Sequence, residues 1–116
     1  MPHRSTEEVF LDHLELAQNG DVETDLHRNF AEECVLLTTY GIFSGFDGIR
    51  DAANLLQKQI GDTTYEYHQK IFHGEIAFLE WSAKSEQASI DDGADSFLIR
   101  NGRIEVMTIH YSVVEI

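Results

Sequence analysis

The sequence predicts an α+β fold in which helices gathered in the first half of the chain pack on one face of a curved antiparallel sheet. Three observations predict it. Helical periodicity is confined to residues before Gly61, everything after Asp62 reads as strands, and the breaks between those strands are short enough for consecutive strands to pair as a meander. No repeat, linker or low-complexity tract divides the 116 residues, a length that suits one domain with a real core.

The first helix starts at Ser5, which stands three residues before Glu8 as in a capping box, and runs to about Asn19-Gly20. Phe10, His13, Leu14 and Ala17 fall on one stripe of it, so a histidine lies within an apolar face. Asp21 caps a second, short helix from Val22 to about Asn29, in which Val22, Leu26 and Phe30 recur every four residues. Residues 34–40 read as a strand, Gly41 as a turn and residues 42–45 as a short return strand. From Asp47 the pattern is helical again, with Ile49, Ala52, Ala53, Leu56 and Ile60 on one face and Gly61-Asp62 as the stop.

The remaining strands are predicted at residues 63–73, 76–87, 92–100 and 103–114, broken at Gly74-Glu75, in the 89–92 region and at Asn101-Gly102. The last hairpin carries the main chemical oddity, Asp95, which shares a sheet face with Phe97 and Ile99 because side chains alternate with period two. A carboxyl in that setting is either satisfied near a strand end or is a pocket acid whose pKa desolvation raises. Two registers are open. A two-residue type I′ loop at Asn101-Gly102 puts Asp95 opposite Thr108, with Val106 and His110 on its face. A three-residue loop with a left-handed Gly102 puts it opposite Met107, with Ile109 and Tyr111. In the first register His110 could pair with Asp95; in the second it faces outward.

The charge balance, 8 Lys+Arg against 21 Asp+Glu for a net −13, repels phosphate backbones and anionic lipid, so neither nucleic acid nor membrane is an expected partner. A hydrophobic share of 42% with seven Phe argues against a disordered acidic chain. Cys34 is the lone cysteine, which excludes an internal disulfide and suits a reducing compartment; the first ten residues lack an apolar signal segment, so a cytoplasmic location is the expectation. Histidines at positions 3, 13, 27, 68, 73 and 110 show no metal-ligand spacing, and Gly41, Gly45 and Gly48 lack the Lys-Ser/Thr of a phosphate loop; no metal or cofactor is expected. Both faces of the last strands look apolar, with Met107, Ile109 and Val113 on one and Ile104, Val106 and Val114 on the other. The face that does not cover the helices is expected to form a homodimer.

The order of these elements resembles the nuclear-transport-factor-2-like superfamily, the cone-shaped α+β fold of ketosteroid isomerase and SnoaL-type polyketide cyclases. The resemblance covers nearly the whole chain and rests on Gly20-Asp21-Val22-Glu23 after the first helix, Asn29-Phe30-Ala31-Glu32 entering the first strand, Ser44-Gly45 before the third helix, and residues 97–104 in the last hairpin. It implies a concave sheet face holding three helices around a ligand cone. Set beside the isomerases, Asp95 matches the protonated acid of their oxyanion hole and His13 the tyrosine that shares its duty. Met107, Ile109 and Tyr111 match pocket positions, which favours the second register.

One departure stands out. The isomerases carry a general-base aspartate just after the first strand, whereas no acid occurs here between Glu33 and Asp47; Thr38, Thr39 and Tyr40 occupy that region. Steroid isomerisation as such is therefore disfavoured. The function expected from the sequence is binding of a small apolar cyclic carbonyl or hydroxyl compound, with isomerase, cyclase or hydrolase chemistry in view. Asp95 and His13 would be the acids, and Tyr40, Trp81, Phe97, Met107, Ile109 and Tyr111 the contact surface. The alternative from a different class is a dimerisation or protein-docking module without chemistry.

Overall fold

The computed structural model describes residues 3–116; Met1 and Pro2, the start of the segment read above for a leader, lie outside the described residues. Three helices, α1 (Thr6–Gln18), α2 (Val22–Asn29) and α3 (Gly45–Ile60), pack on a seven-stranded sheet that curves without closing. The strands are β1 (Phe30–Thr38), β2 (Gly41–Ser44), β3 (Tyr65–His73), β4 (Ile76–Lys84), β5 (Ala88–Arg100), β6 (Arg103–His110) and β7 (Val114–Glu115). Their order is β2-β1-β6-β5-β4-β3, with β7 beside the start of β5. Every pairing is antiparallel except that of β1 with β6, which brings the chain's first strand into the middle of the sheet.

Local chemistry explains the helix ends. Glu8 N–H donates to Ser5 Oγ at 3.1 Å while Ser5 N–H donates to Glu8 Oε1 at 2.8 Å, so the capping box of α1 is complete. Asp21 Oδ1 accepts from Thr24 N–H at the start of α2. Gly61, at φ 73°, ends α3 in a conformation that other residues adopt only with strain.

Two strand boundaries differ from those predicted. The break expected near 89–92 lies at residues 85–87, where Ser85 N–H donates to Ala88 O at 2.9 Å and Ser85 Oγ accepts from the Gln87 and Ala88 N–H groups. A serine closing its own turn outweighs the Asp-Asp-Gly composition further on, and β5 runs unbroken for 13 residues. β1 starts four residues earlier than read, at Phe30, directly from the last turn of α2.

The last hairpin combines the two open registers. Arg100 faces Arg103 across Asn101 (φ 55°) and Gly102 (φ 74°), a two-residue turn with both φ values positive. Leu98 then pairs with Val106 and Ile99 with Ile104, leaving Glu105 as an extra residue in β6. That bulge shifts everything beyond it by one. Asp95 consequently faces Ile109, rather than Thr108 or Met107, and shares the concave face with Met107 and Tyr111.

The core fills the space between helices and concave face. Phe10 and Leu14 of α1, Leu26 of α2, and Phe30, Leu79 and Phe97 of the sheet are all fully or almost fully buried.

Candidate functional site

A cavity of about 550 Å³ lies between α1, α3 and the concave face of the sheet, within the size range of small-molecule sites. Its walls are mostly apolar or aromatic. Three buried ionisable groups line it from different elements: Asp95 from β5, His13 from α1 and Asp25 from α2.

Asp95 is positioned by Trp81. Trp81 on β4 faces Gly93 on β5, and the indole lies across the glycine to reach the carboxyl two residues along, with Nε1–H donating to Asp95 Oδ1 at 2.8 Å. A side chain at Gly93 would collide, since a Cβ there would stand 2.2 Å from Trp81 Cε2. No side chain hydrogen-bonds Asp95 Oδ2, and no enclosed side-chain oxygen is left unpaired among the described residues, so Oδ2 is open to the cavity. Burial pushes the Asp95 carboxyl up to about 7, against the Trp81 N–H and the His13 charge, which both pull it down.

His13 sits with its ring edge-on to Phe30 and Phe97, centroids 5.5 and 5.2 Å away. Its Nδ1 is 2.7 Å from Asp25 Oδ2, and no group among the described residues partners Nε2. Asp25, buried on α2, receives Asn29 Nδ2–H on its other oxygen at 2.9 Å. Burial is the strongest single influence on His13 and opposes its charge, but the charge and hydrogen bond of Asp25, with Asp95 and Asp12 beyond, outweigh it. The imidazole is held above its ordinary value.

Of the residues expected from the sequence, Tyr40, Trp81, Met107, Ile109 and Tyr111 line the cavity with His13 and Asp95. Phe97 does not. It is 1% exposed and packs between Phe10 and His13, backing the imidazole rather than meeting a ligand. His110 is on the opposite sheet face, 3.5 Å from Asp92, as the bulged register requires. Tyr111 O–H donates to Gln59 Oε1 at 2.5 Å, and its ring neighbours Tyr40 and Trp81 at 5.6 and 5.9 Å.

Among the lining residues not singled out in the sequence are Asp25, Tyr65 and Tyr67. Asp25 carried a weak signal, lying beside Leu26 and four residues before Asn29 on the inward side of α2. Tyr65 and Tyr67 alternate with Glu66 and His68, which marked their face but not their neighbour; Tyr67 O–H donates to Leu14 O at 2.9 Å and Tyr65 meets Trp81 edge-on.

A family model described as a SnoaL-like domain matches residues 10–107. The chain belongs to the SnoaL-like family. Its fold is that of the nuclear-transport-factor-2-like superfamily, as solved structures bear out. Wild-type IdmH from Streptomyces antibioticus, named as a candidate polyketide cyclase, is similar at TM-score 0.76 and 15% identity, covering 94% of this chain and 93% of that one. An NTF2-like protein of unknown function from Cytophaga hutchinsonii aligns at TM-score 0.74 and 14% identity over 97% and 95% of the two chains. TerC, co-crystallised with polyporic acid, aligns at TM-score 0.73 and 17% identity over 92% and 91%. No curated protein matches the sequence significantly. Thr38, the last residue of β1, and Tyr40, in the turn that follows, both line the cavity.

Proposed function

We propose that this SnoaL-like chain binds a small, mostly apolar cyclic carbonyl or hydroxyl compound in the cone and acts on it by acid-assisted isomerase-, cyclase- or hydrolase-type chemistry. The observation that carries the reading is the pairing of Asp95 Oδ2 and His13 Nε2. Two buried ionisable groups each present an unpaired atom to one apolar cavity. A protonated Asp95 donates one hydrogen bond to a ligand oxygen, and a protonated His13 ring, whose Nδ1–H faces Asp25, donates a second through Nε2–H. Negative charge developing on that oxygen during enolisation or carbonyl addition is stabilised by donors already aimed in a water-poor site. Trp81, Met107, Ile109, Tyr40 and Tyr111 supply the contact area that holds the ring system. The co-crystal of the structural neighbour TerC with polyporic acid supports a small organic ligand for this fold.

With a value near 7, Asp95 also alternates between acid and base at neutral pH, so it serves as the proton acceptor that the region after β1 does not provide. The test is to bind an anionic phenol to the wild type, Asp95→Asn and His13→Ala. A loss of about tenfold or more in each is expected; unchanged affinity in both, with the fold intact, overturns the reading.

A second reading concerns assembly. The convex sheet face carries exposed Ile42, Leu37, Ile71 and Ile76, with Phe78 and Leu98 half-buried between them. We infer that this face joins two copies of the chain, since a broad apolar sheet surface on a monomer invites association. A cytoplasmic setting is proposed with it, on the lone buried Cys34. Dimerisation is compatible with the ligand reading and is also what a purely docking domain would use; the phenol experiment separates these.

A further inference from the structure

We infer that Asp25 is a positioning residue for His13, itself fixed by Asn29, and that together they determine which nitrogen of His13 meets the ligand. This rests on the reading of the cone as a ligand site.

The geometry is a chain of hydrogen bonds from the cavity wall to the surface. His13 Nδ1 and Asp25 Oδ2 are 2.7 Å apart, both side chains being almost fully buried. A carboxylate can only accept, so Nδ1 carries a hydrogen and Nε2 is the atom left for the cavity. Asn29, 0% exposed, gives the hydrogens of Nδ2 to Asp25 Oδ1 at 2.9 Å and to Asp12 Oδ2 at 2.8 Å. Its Oδ1 accepts from Arg4 Nη1 at 2.9 Å. Every atom of that amide is thereby assigned, because a flip would set its oxygen against two carboxylates and its NH₂ against a guanidinium.

Arg28 holds Asp12 through two bonds of 2.8 and 2.6 Å, and Arg4 stands 3.7 Å away. Two positive side chains at the surface thus offset the acid nearest Asn29, and Asp25 is left to serve the imidazole. The groups facing His13 can be counted by element: Asp25 from α2, Asp12 on its own helix, Asp95 and Phe97 from β5, Phe30 from β1, and Tyr67 of β3 on the shared cavity wall. All the charged ones are acidic. The arrangement therefore favours an imidazolium whose Nε2–H points at a ligand oxygen, and an anionic ring oxygen is the partner such a group selects.

The test uses the full chain and nitrogen NMR of His13, with 2,4-dinitrophenolate as a probe that stays anionic across the range. In the wild type, His13 is expected to titrate above an ordinary histidine and, when neutral, to keep its hydrogen on Nδ1. In Asp25→Asn its pKa should fall by about one unit or more, the range for losing an adjacent opposite charge. Probe affinity near neutrality should then drop by about tenfold and recover at lower pH, where His13 regains its proton. A merely structural role would give a loss that acid does not restore. An unchanged His13 pKa in Asp25→Asn, or a wild-type His13 with its hydrogen on Nε2 when neutral, overturns the inference; the second measurement decides even if the variant does not fold. If His13 behaves as expected but the wild type binds no probe, the positioning stands and the ligand reading fails.

Discussion

Gly93 and Trp81 face one another across β5 and β4, and the absence of a side chain on the first is what lets the indole of the second reach Asp95. Gly93→Ala forces the ring away, because nothing flexible lies between the new methyl and the indole at 2.2 Å. The expected cost is about 1–3 kcal/mol, in the range of overpacked interiors. Denaturant unfolding measures it. A variant as stable as the wild type with an unchanged emission spectrum would mean that the indole is not held where the glycine leaves room.

Trp81 is the sole tryptophan, so its fluorescence reports on one carboxyl. As Asp95 loses its proton, the charge next to Nε1–H changes and the emission should follow, with a midpoint at about 7. Asp95→Asn should abolish that transition while leaving a folded spectrum. A wild-type midpoint near the ordinary aspartate value would show that water reaches the carboxyl freely.

The fold was legible because its signals are local. The Ser5–Glu8 box, the Gly61 stop and the Asn101-Gly102 turn each fix an element by short-range chemistry, and the structure places all three where the sequence put them. The register of Asp95 was not legible, since a single extra residue at Glu105 leaves no compositional trace and yet selects the face. The carboxyl itself stood out by contrast with Phe97 and Ile99. Its support did not: the Asp25–His13 contact joins α2 to α1 through tertiary packing, and an acid on a short polar helix reads as solvated until Leu26 and Phe30 turn that face inward.

Stability should decline as the pH rises toward and through neutrality. Asp95 has its folded pKa raised above the unfolded value, so the folded state binds the extra proton and the cost of ionising it is absent at pH below about 3.8, grows above that and is complete above about 7. A shift of that size corresponds to about 4 kcal/mol at most. His13 acts in the same direction, since a raised histidine stabilises below its unfolded value and loses that contribution as pH climbs through the folded one. Asp95→Asn keeps an acceptor for Trp81 and removes the charge, so it should be more stable than the wild type at pH 8 and nearly equal at pH 4, by thermal or denaturant unfolding. Equal stability at both would deny the burial cost.

The convex face makes a prediction independent of the cone. Its side chains form a row in register across six strands, Ile42–Leu37–Thr108–Ser96–Phe78–Ile71, with Ile76, Leu98 and Val106 in the row beside it. No charged side chain interrupts the first row, although the chain as a whole carries −13. Light scattering at micromolar concentration should therefore give the mass of two chains. Phe78→Lys places a charge at a half-buried position in that row and, in a dimer, against its symmetry mate or the partner's apolar surface; dissociation is expected, with Trp81 emission and phenol binding retained because the substitution points away from the cavity. A monomeric wild type would sink this assignment, and loss of the cavity's properties in Phe78→Lys would show that the two faces are not separable.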